Sequence, residues 1–139
     1  MADVLRLLTR AQKLVSTASD DAMRPHGVRI GQNLILEVLW DEDELTPGEL
    51  ARRLHLAPPT IVKTTTRMEA AGLLERIPDP LDGRLVRLRL TAHGRACQTP
   101  IQEARRLLAE RATADLTAEE RAVLEVALQK IIDAMSEQQ

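Results

Sequence analysis

The chain has 139 residues, 44% hydrophobic and 29% charged, and these values are ordinary for one globular domain. It contains one Trp and neither Tyr nor Phe, so its core must be aliphatic, and binding of single-stranded nucleic acid by base stacking is nearly excluded. The net charge of −2 argues at first against nucleic acid, and the single cysteine, Cys97, excludes an internal disulfide and fits a reducing cytoplasm.

Two helices are predicted in the N-terminal part. Residues 3–22 place apolar side chains at helical spacing, and Pro25 and Gly27 end this amphipathic stretch. A second helix is expected over residues 30–40, apolar on most sides and therefore buried. No apolar run approaches the roughly 18–20 residues that span a bilayer, and the charged N-terminus does not match a signal peptide, so no membrane partner is expected.

Residues 46–91 begin with two short helices. Thr46 and Glu49 form a capping-box pattern at the first. The second is expected to begin at Pro58, because proline lacks the N–H that a helix start leaves unsatisfied, and to end at Gly72, which suits a left-handed cap.

The two faces of this second helix differ in chemistry. Ile61, Thr64 or Thr65, and Met68 share one face and are predicted to point inward. The opposite face is short, polar and basic, which suits a DNA major groove about 12 Å wide. It consists of Pro59, Val62, Lys63, Thr66 and Arg67.

A hairpin follows the two helices. Strands are predicted over residues 73–77 and 85–90, the second with apolar and polar side chains alternating in period two, and a turn-rich loop joins them. The order of helix, turn, helix, strand, loop and strand is that of a winged helix-turn-helix.

The C-terminal part is predicted to be helical. Thr91 caps the next helix, which Pro100 interrupts or kinks, with Thr99 as a candidate local cap. Thr117 and Glu120 form a second capping-box pattern before an amphipathic last helix.

Charge is distributed unevenly along the chain. Residues 52–95 contain nine Lys/Arg and four Asp/Glu, a formal charge of +5, and the remainder carries −7. A basic centre between acidic flanks is typical of a DNA-binding module on an acidic scaffold, although a solvated charged surface is the commoner cause of such a pattern by itself.

A longer motif lies in the hairpin region. In order, it has a glycine, an apolar pair and an Arg, a loop of the form Asp-Pro-x-Asp-x-Arg, and a strand ending in Leu-Thr and a Gly. Its residues are Gly72, Leu73, Leu74, Arg76, Asp79, Pro80, Asp82, Arg84, Leu90, Thr91 and Gly94. This series resembles the wing of the multiple-antibiotic-resistance regulator (MarR) family, and the resemblance extends over nearly the whole chain.

The resemblance implies a mainly α fold with a small β-wing, in which residues 46–91 form the winged helix-turn-helix lobe and residues 1–24 and 100–139 the dimerisation helices. It implies a homodimeric transcription regulator, usually a repressor, that binds a pseudo-palindromic operator in double-stranded DNA. The recognition helix, residues 58–71, would enter the major groove, and the wing, residues 78–84, the minor groove.

The candidate DNA contacts follow from the same resemblance. Arg84 ranks first, because a turn at Gly83 projects it beyond the fold and a narrow minor groove attracts Arg. Asp82 would position the wing through an ion pair with a nearby Arg, and Arg76 contacts either DNA or one of Asp79 and Asp82. The complete set of candidates is Pro58, Pro59, Thr60, Val62, Lys63, Thr66, Arg67, Asp82 and Arg84.

One departure from the family pattern concerns the start of the recognition helix. Many relatives have Ser and a second hydroxyl residue there, whereas this chain has Ala57-Pro58-Pro59 and keeps only the hydroxyl of Thr60. Some phosphate contacts are therefore expected either to be missing or to come from backbone N–H groups.

A small-molecule effector is a further candidate partner. Relatives bind such compounds between the dimer-forming helices and the DNA-binding lobe, which here places His26, Arg29, Asn33 and Trp40 near a pocket, with Arg29 suited to an anionic group. Packing, capping or solvent exposure of these residues is favoured over ligand binding. Cys97 follows the wing and is interpreted as a small core residue rather than a redox sensor.

The alternative function is a winged-helix protein-interaction module that does not bind specific DNA. The proline pair favours this alternative and the basic centre opposes it. An enzyme is not expected, because no catalytic order or phosphate loop is present, and neither cofactor nor metal is expected, because the three histidines lack ligand spacing.

Overall fold

The computed structural model describes residues 3–136, which form seven α-helices and one two-stranded antiparallel sheet. The elements are α1 (Val4–Met23), a 3₁₀ turn (Arg24–His26), α2 (Gln32–Asp41), α3 (Pro47–Leu54), α4 (Pro58–Ala70), β1 (Leu74–Pro78), β2 (Val86–Leu90), α5 (Ala92–Ala96), α6 (Gln98–Ala112) and α7 (Ala118–Ser136). This order confirms the predicted fold class, a mainly α winged helix-turn-helix. The ends of the two predicted dimerisation segments, residues 1–2 and 137–139, lie outside the described residues.

The core lies in the central lobe and is aliphatic, as the composition predicts. Fully buried side chains come from α2, α3, α4, both strands and the start of α6, among them Leu36, Leu50, Ile61, Leu88 and Ile101. The single Trp, Trp40, packs at the margin of this core and donates its indole N–H to the carbonyl of Gly94 at 2.9 Å.

The start of α5 packs closely against the chain that leads into β1. A Cβ atom on Gly94 would lie 2.1 Å from the carbonyl oxygen of Leu73, so only glycine fits this position. The hydroxyl of Thr91 caps α5 by accepting the N–H of Gly94 at 3.0 Å, as predicted, and donates to the carbonyl of Gly72. These contacts join the hairpin to the helices that follow it.

The predicted capping pattern at the start of α7 is confirmed. The N–H of Thr117 donates to Glu120 Oε1 at 3.0 Å, and the N–H of Glu120 donates to Thr117 Oγ1 at 3.1 Å. At α3 the hydroxyl of Thr46 accepts the N–H of Glu49 at 3.1 Å. The capping box is therefore complete at α7, whereas at α3 the described hydrogen bonds include only the one from the N–H of Glu49 to Thr46.

Four local predictions were wrong: the start of the second helix, the burial of Ile30, the cap at Thr99 and the starts of the two strands. The second helix begins at Gln32 rather than residue 30, because Gly31 adopts φ 93°, and Ile30 is 47% exposed rather than buried. Thr99 does not cap a helix, since α6 already begins at Gln98 after a break at Cys97. Pro100 lies in the first turn of α6, where its missing N–H leaves no hydrogen bond unmade. The strands also begin one residue later than predicted.

The terminal helices differ from the central lobe in what they leave exposed. Helices α1 and α6 pack side by side, but every residue of α7 from 118 to 135 is exposed. Exposed apolar side chains on α1 and α7 include Val4, Leu5, Leu14, Val123, Val126, Ile132 and Met135. Within residues 3–136, no helix is long and apolar enough to cross a membrane.

The close approach at Gly94 generates a stability prediction. Gly94→Ala forces the backbone of Leu73 or of α5 to move, and should lower the free energy of unfolding in urea by about 3 kcal/mol, in the upper range of overpacking effects. Gly48→Ala is the matched control, because its Cβ would lie 3.6 Å from the nearest atom, and it should be neutral or stabilising. Equal stability of the two variants would refute the constraint at Gly94.

Candidate nucleic-acid interface

Helix α4 has one buried and one exposed face, as its periodicity predicts. Ile61, Thr65 and Met68 are buried, and Thr65 rather than Thr64 completes the inner face. The hydroxyl of Thr65 donates to the carbonyl of Ile61 at 2.8 Å, so its burial leaves no unsatisfied polar group. The outer residues are exposed: Pro58, Pro59, Thr60, Val62, Lys63, Thr66 and Arg67.

The start of α4 offers few hydrogen-bond donors. The cap residue Ala57 makes no side-chain hydrogen bond, and Pro58 and Pro59 have no N–H. The N–H groups of Thr60 and Ile61 both donate to the carbonyl of Ala57, at 3.0 and 3.3 Å. Because the prolines remove two donors and the helix uses the next two, the start of α4 favours the alternative in which some phosphate contacts are missing over the one in which backbone N–H groups supply them.

The turn before α4 is closed by a left-handed residue. His55 adopts φ 53°, which glycine would adopt with less strain, and the N–H of Leu56 donates to the carbonyl of Ala51 at 3.1 Å. This turn sets the angle at which α4 crosses α3.

Arg76 links the hairpin to the outer face of α4. Its Nη2 donates to the hydroxyl of Thr66 at 3.2 Å, and its Nε lies 3.5 Å from Glu69 Oε2. Arg76 was predicted to contact either DNA or one of Asp79 and Asp82. Its partners within the protein are Thr66 and Glu69 instead, since Asp79 and Asp82 have other partners, and the DNA contact stays a prediction. The hydroxyl of Thr66 also donates to the carbonyl of Val62 at 2.7 Å, so its hydrogen-bonding capacity is largely used.

The carboxylate of Asp79 organises the wing. Its Oδ1 accepts the N–H groups of Leu81 and Asp82 at 2.8 and 2.9 Å, and its Oδ2 accepts Arg87 Nε at 2.5 Å. Arg87 in turn donates to the carbonyl of Glu44 at 2.7 Å. The bonds from Leu81 and Arg87 lower the pKa of Asp79, which is only 7% exposed. Asp79 was recognised as part of the wing motif, but its pairing with Arg87 was missed, and so was the turn that it forms, although Asp-Pro-x-Asp is a recognisable Asx-turn sequence.

The tip of the wing carries the ion pair that the resemblance implies. Asp82 Oδ1 accepts the backbone N–H of Arg84 at 3.0 Å and its Nε at 3.2 Å. This interaction with Arg84 lowers the pKa of Asp82. The Arg84 side chain is 91% exposed. The nearby Arg that pairs with Asp82 is therefore Arg84 itself.

The four residues predicted to bind an effector have mainly structural contacts. Arg29 pairs with Asp20 through two hydrogen bonds of 3.0 and 3.1 Å, buried Asn33 accepts the N–H of Gly31, and Trp40 donates to the α5 backbone. The carbonyl of His26 lies 3.6 Å from Cys97 Sγ. These contacts favour the packing interpretation, and the ligand-binding role stays a prediction.

Cys97 is a core residue, as predicted. It is 2% exposed, and burial raises the pKa of its thiol. A thiol with a raised pKa is mostly protonated at neutral pH and is therefore a poor nucleophile.

The terminal helices form a groove of about 980 Å³ along α1. Apolar Leu5, Leu14 and Ala18 line it together with the basic side chains of Arg6, Arg10, Lys13 and Arg111. The first turn of α7 has the opposite charge, with Glu119 and Glu120.

Comparisons with known proteins show that this chain is similar to transcription regulators in sequence and in fold. A family model described as "MarR family" matches residues 29–86. An uncharacterised HTH-type transcriptional regulator from Mycobacterium bovis is 32% identical over 111 residues, which cover 79% of this chain and 77% of the relative. The HTH-type transcriptional regulator YsmB from Bacillus subtilis is 28% identical over 132 residues, 94% of this chain and 90% of YsmB. The structure of a mutant MarR from E. coli complexed with operator DNA is 27% identical, with a TM-score of 0.82 over 94% of this chain and 99% of that one.

The Asp79 network generates a pH prediction. Because its folded pKa is lowered, Asp79 stabilises the wing fully above the unfolded pKa of about 3.9 and progressively less as pH falls from there through the folded pKa. NMR should therefore show unchanged Leu81 and Asp82 amide signals from pH 7 to pH 5. As the pH falls below 4, the protection factors of these amides, which compare the observed exchange rate with the intrinsic rate at the same pH, should fall. Asp79→Asn removes the titrating group and should abolish this pH dependence; a wing in the wild type that is unaffected at pH 2 would contradict the prediction.

Proposed function

This chain belongs to the MarR family of transcription regulators, and from that premise we propose that it is a cytoplasmic homodimer that binds a pseudo-palindromic DNA operator. The observation that carries the proposal is the contact between Arg76 and Thr66, which brings the wing beside the outer face of α4. A polar and basic helix face and a basic wing tip thus form one continuous surface. Such a surface fits a major groove and the minor groove next to it.

In the proposed complex, α4 lies in the major groove. Lys63 and Arg67 contact phosphate or guanine, and the small side chains around them let the helix approach the base edges. The hydroxyl of Thr66 is already bonded within the protein, so we assign its methyl group to an apolar contact, such as the methyl of thymine. The remaining proposed contacts on this helix are Pro58, Pro59, Thr60 and Val62.

The wing acts in the minor groove. On binding, the guanidinium of Arg84 leaves Asp82 and enters a narrow minor groove, whose negative potential attracts it. Before binding, Asp82 holds the guanidinium of Arg84 at the wing tip. The Arg84 side chain therefore loses less conformational entropy when it binds DNA.

The terminal helices support the proposed homodimer. Many of the exposed large apolar side chains of residues 3–136 lie on α1 and α7, and clustering of this kind marks protein–protein contact surfaces. The basic groove along α1 and the acidic start of α7 are complementary, so a second protomer would cover both in an isologous interface. We further propose that residues 1–24 and 100–139 set the spacing between the two recognition helices.

Repression is the proposed direction of control, and its support is the family resemblance. An effector would act by favouring a dimer whose two recognition helices no longer match adjacent major grooves, which requires different affinities for the two dimer shapes. If the effector binds at His26, Arg29, Asn33 and Trp40, an anionic group of the effector must compete with Asp20 for the guanidinium of Arg29.

A protein-interaction module without specific DNA binding is the second candidate. The observation that favours it is the start of α4, where the prolines and the bonded N–H groups leave phosphate few donors. Selection from a random duplex library distinguishes the two functions. Enrichment of a pseudo-palindrome supports the regulator, and an intact dimer that enriches nothing supports the interaction module.

Arg84→Ala tests the wing on the selected duplex. It should weaken binding by about 10- to 100-fold and reduce the slope of log affinity against log salt concentration by about one, because one cation is lost from the interface. Arg24→Ala, an exposed Arg in the turn after α1, is the charge-matched control and should bind as the wild type does. Unchanged affinity of the Arg84 variant in a gel-shift titration would refute the wing contact.

Val126→Glu tests the dimer. A carboxylate at this exposed apolar position of α7 would have to be desolvated in the interface, and should raise the dimer dissociation constant at least about tenfold. Analytical ultracentrifugation measures this constant. Leu85→Glu, which adds the same charge at an exposed apolar position between the wing and β2, should leave the dimer intact. Identical sedimentation of both variants would contradict the proposed interface.

A further inference from the structure

Leu81 is exposed without a role in the fold. Its side chain is 97% exposed, the highest value among the large apolar residues between 3 and 136. Many of the other exposed apolar residues lie on α1, α6 and α7, where the proposed second protomer would cover them. Leu81 lies in the wing, outside those helices, so dimerisation does not account for it.

The backbone around Leu81 is fixed in the free protein. Its N–H donates to Asp79 Oδ1 at 2.8 Å, and the preceding Pro80 restricts the chain further. Asp79 is held in turn by Arg87, which is bonded to the carbonyl of Glu44. The wing therefore presents an apolar side chain on a preorganised turn, and little entropy remains to be lost when that side chain is covered.

Leu81 and Arg84 belong to the same hydrogen-bonded turn. The carboxylate oxygen that accepts the N–H of Leu81 also accepts the N–H of Asp82, and Asp82 holds the guanidinium of Arg84. The positions of Leu81 and Arg84 are therefore fixed relative to each other at the exposed end of the wing.

We propose that Leu81 is a DNA-contact residue that packs against the deoxyribose walls of the minor groove beside Arg84. The inference rests on the proposed function and adds an apolar component to the wing contact. Charge complementarity identifies the occupant, because residues 52–95, which include the hairpin, carry a formal charge of +5, and Arg84 is 91% exposed at the wing tip. Deoxyribose carbons supply the apolar surface, and other minor-groove proteins also place apolar side chains there.

Two properties follow from the apolar nature of this contact. It neutralises no phosphate, so it contributes to affinity without contributing to the salt dependence. A branched side chain also needs room beside the Arg, so the contact favours operator flanks that deform easily, such as those with TA or CA steps.

The experiment compares the wild type with Leu81→Ser on the duplex selected for the wild type. We expect about tenfold weaker binding, an unchanged salt slope and a less negative heat-capacity change by calorimetry, because apolar burial is lost. Arg84→Ala, in contrast, should reduce the salt slope. Leu81→Met should restore most of the affinity, and Leu85→Ser, at the entry to β2, should change affinity less than threefold.

The experiment distinguishes a failure of the Leu81 contact from a failure of the proposed function. If Leu81→Ser binds as the wild type does while Arg84→Ala weakens binding, the inference is overturned and the proposed function stands. If Leu81→Ser affects only the cooperative binding of two dimers to tandem operators, Leu81 contacts protein and the inference is again overturned. If the wild type selects no duplex, the proposed function fails and the inference fails with it.

Discussion

One nearly buried carboxylate determines the shape of the wing. Asp79 accepts two backbone N–H groups and the guanidinium of Arg87, and these three bonds offset the cost of removing a charge from water. The same bonds fix the backbone of Leu81 and Asp82, and Asp82 then orients Arg84. The exposed end of the wing therefore depends on a charge that solvent barely reaches.

Helix α4 connects this wing to the core. Its inner face is anchored by Ile61, Thr65 and Met68, while Arg76 reaches from β1 to the hydroxyl of Thr66 on the outer face. Core packing and the hairpin thus set the position of the same helix from two sides. The prolines at its start fit the helix geometry and so stabilise the helix, but they remove two N–H donors that could bind phosphate.

The remainder of the chain provides surfaces of a different kind. The exposed apolar residues of α1 and α7 are suited to a second copy of the chain, whereas the exposed cations of α4 and the wing are suited to a polyanion. The charge of +5 within residues 52–95 and −7 elsewhere separates the two kinds of surface along the sequence. In the proposed complex, this separation places the basic segment of the central lobe against DNA and keeps most of the acidic residues away from it.

The sequence by itself determined the element order, the inner face of α4, the capping of α7 at Thr117 and the family, because each depends on residues that are close along the chain or on a recognisable series. Only the tertiary structure decided which partners the charged groups take: Arg76 binds Thr66 and Glu69, and Asp79 binds Arg87. It also showed why residue 94 must be glycine, since the carbonyl of Leu73 approaches it from another element. Several acidic and basic side chains lie within reach of one another along the hairpin, and sequence periodicity does not determine which of them pair. The pairs depend on distances that exist only once the helices and the sheet have packed together.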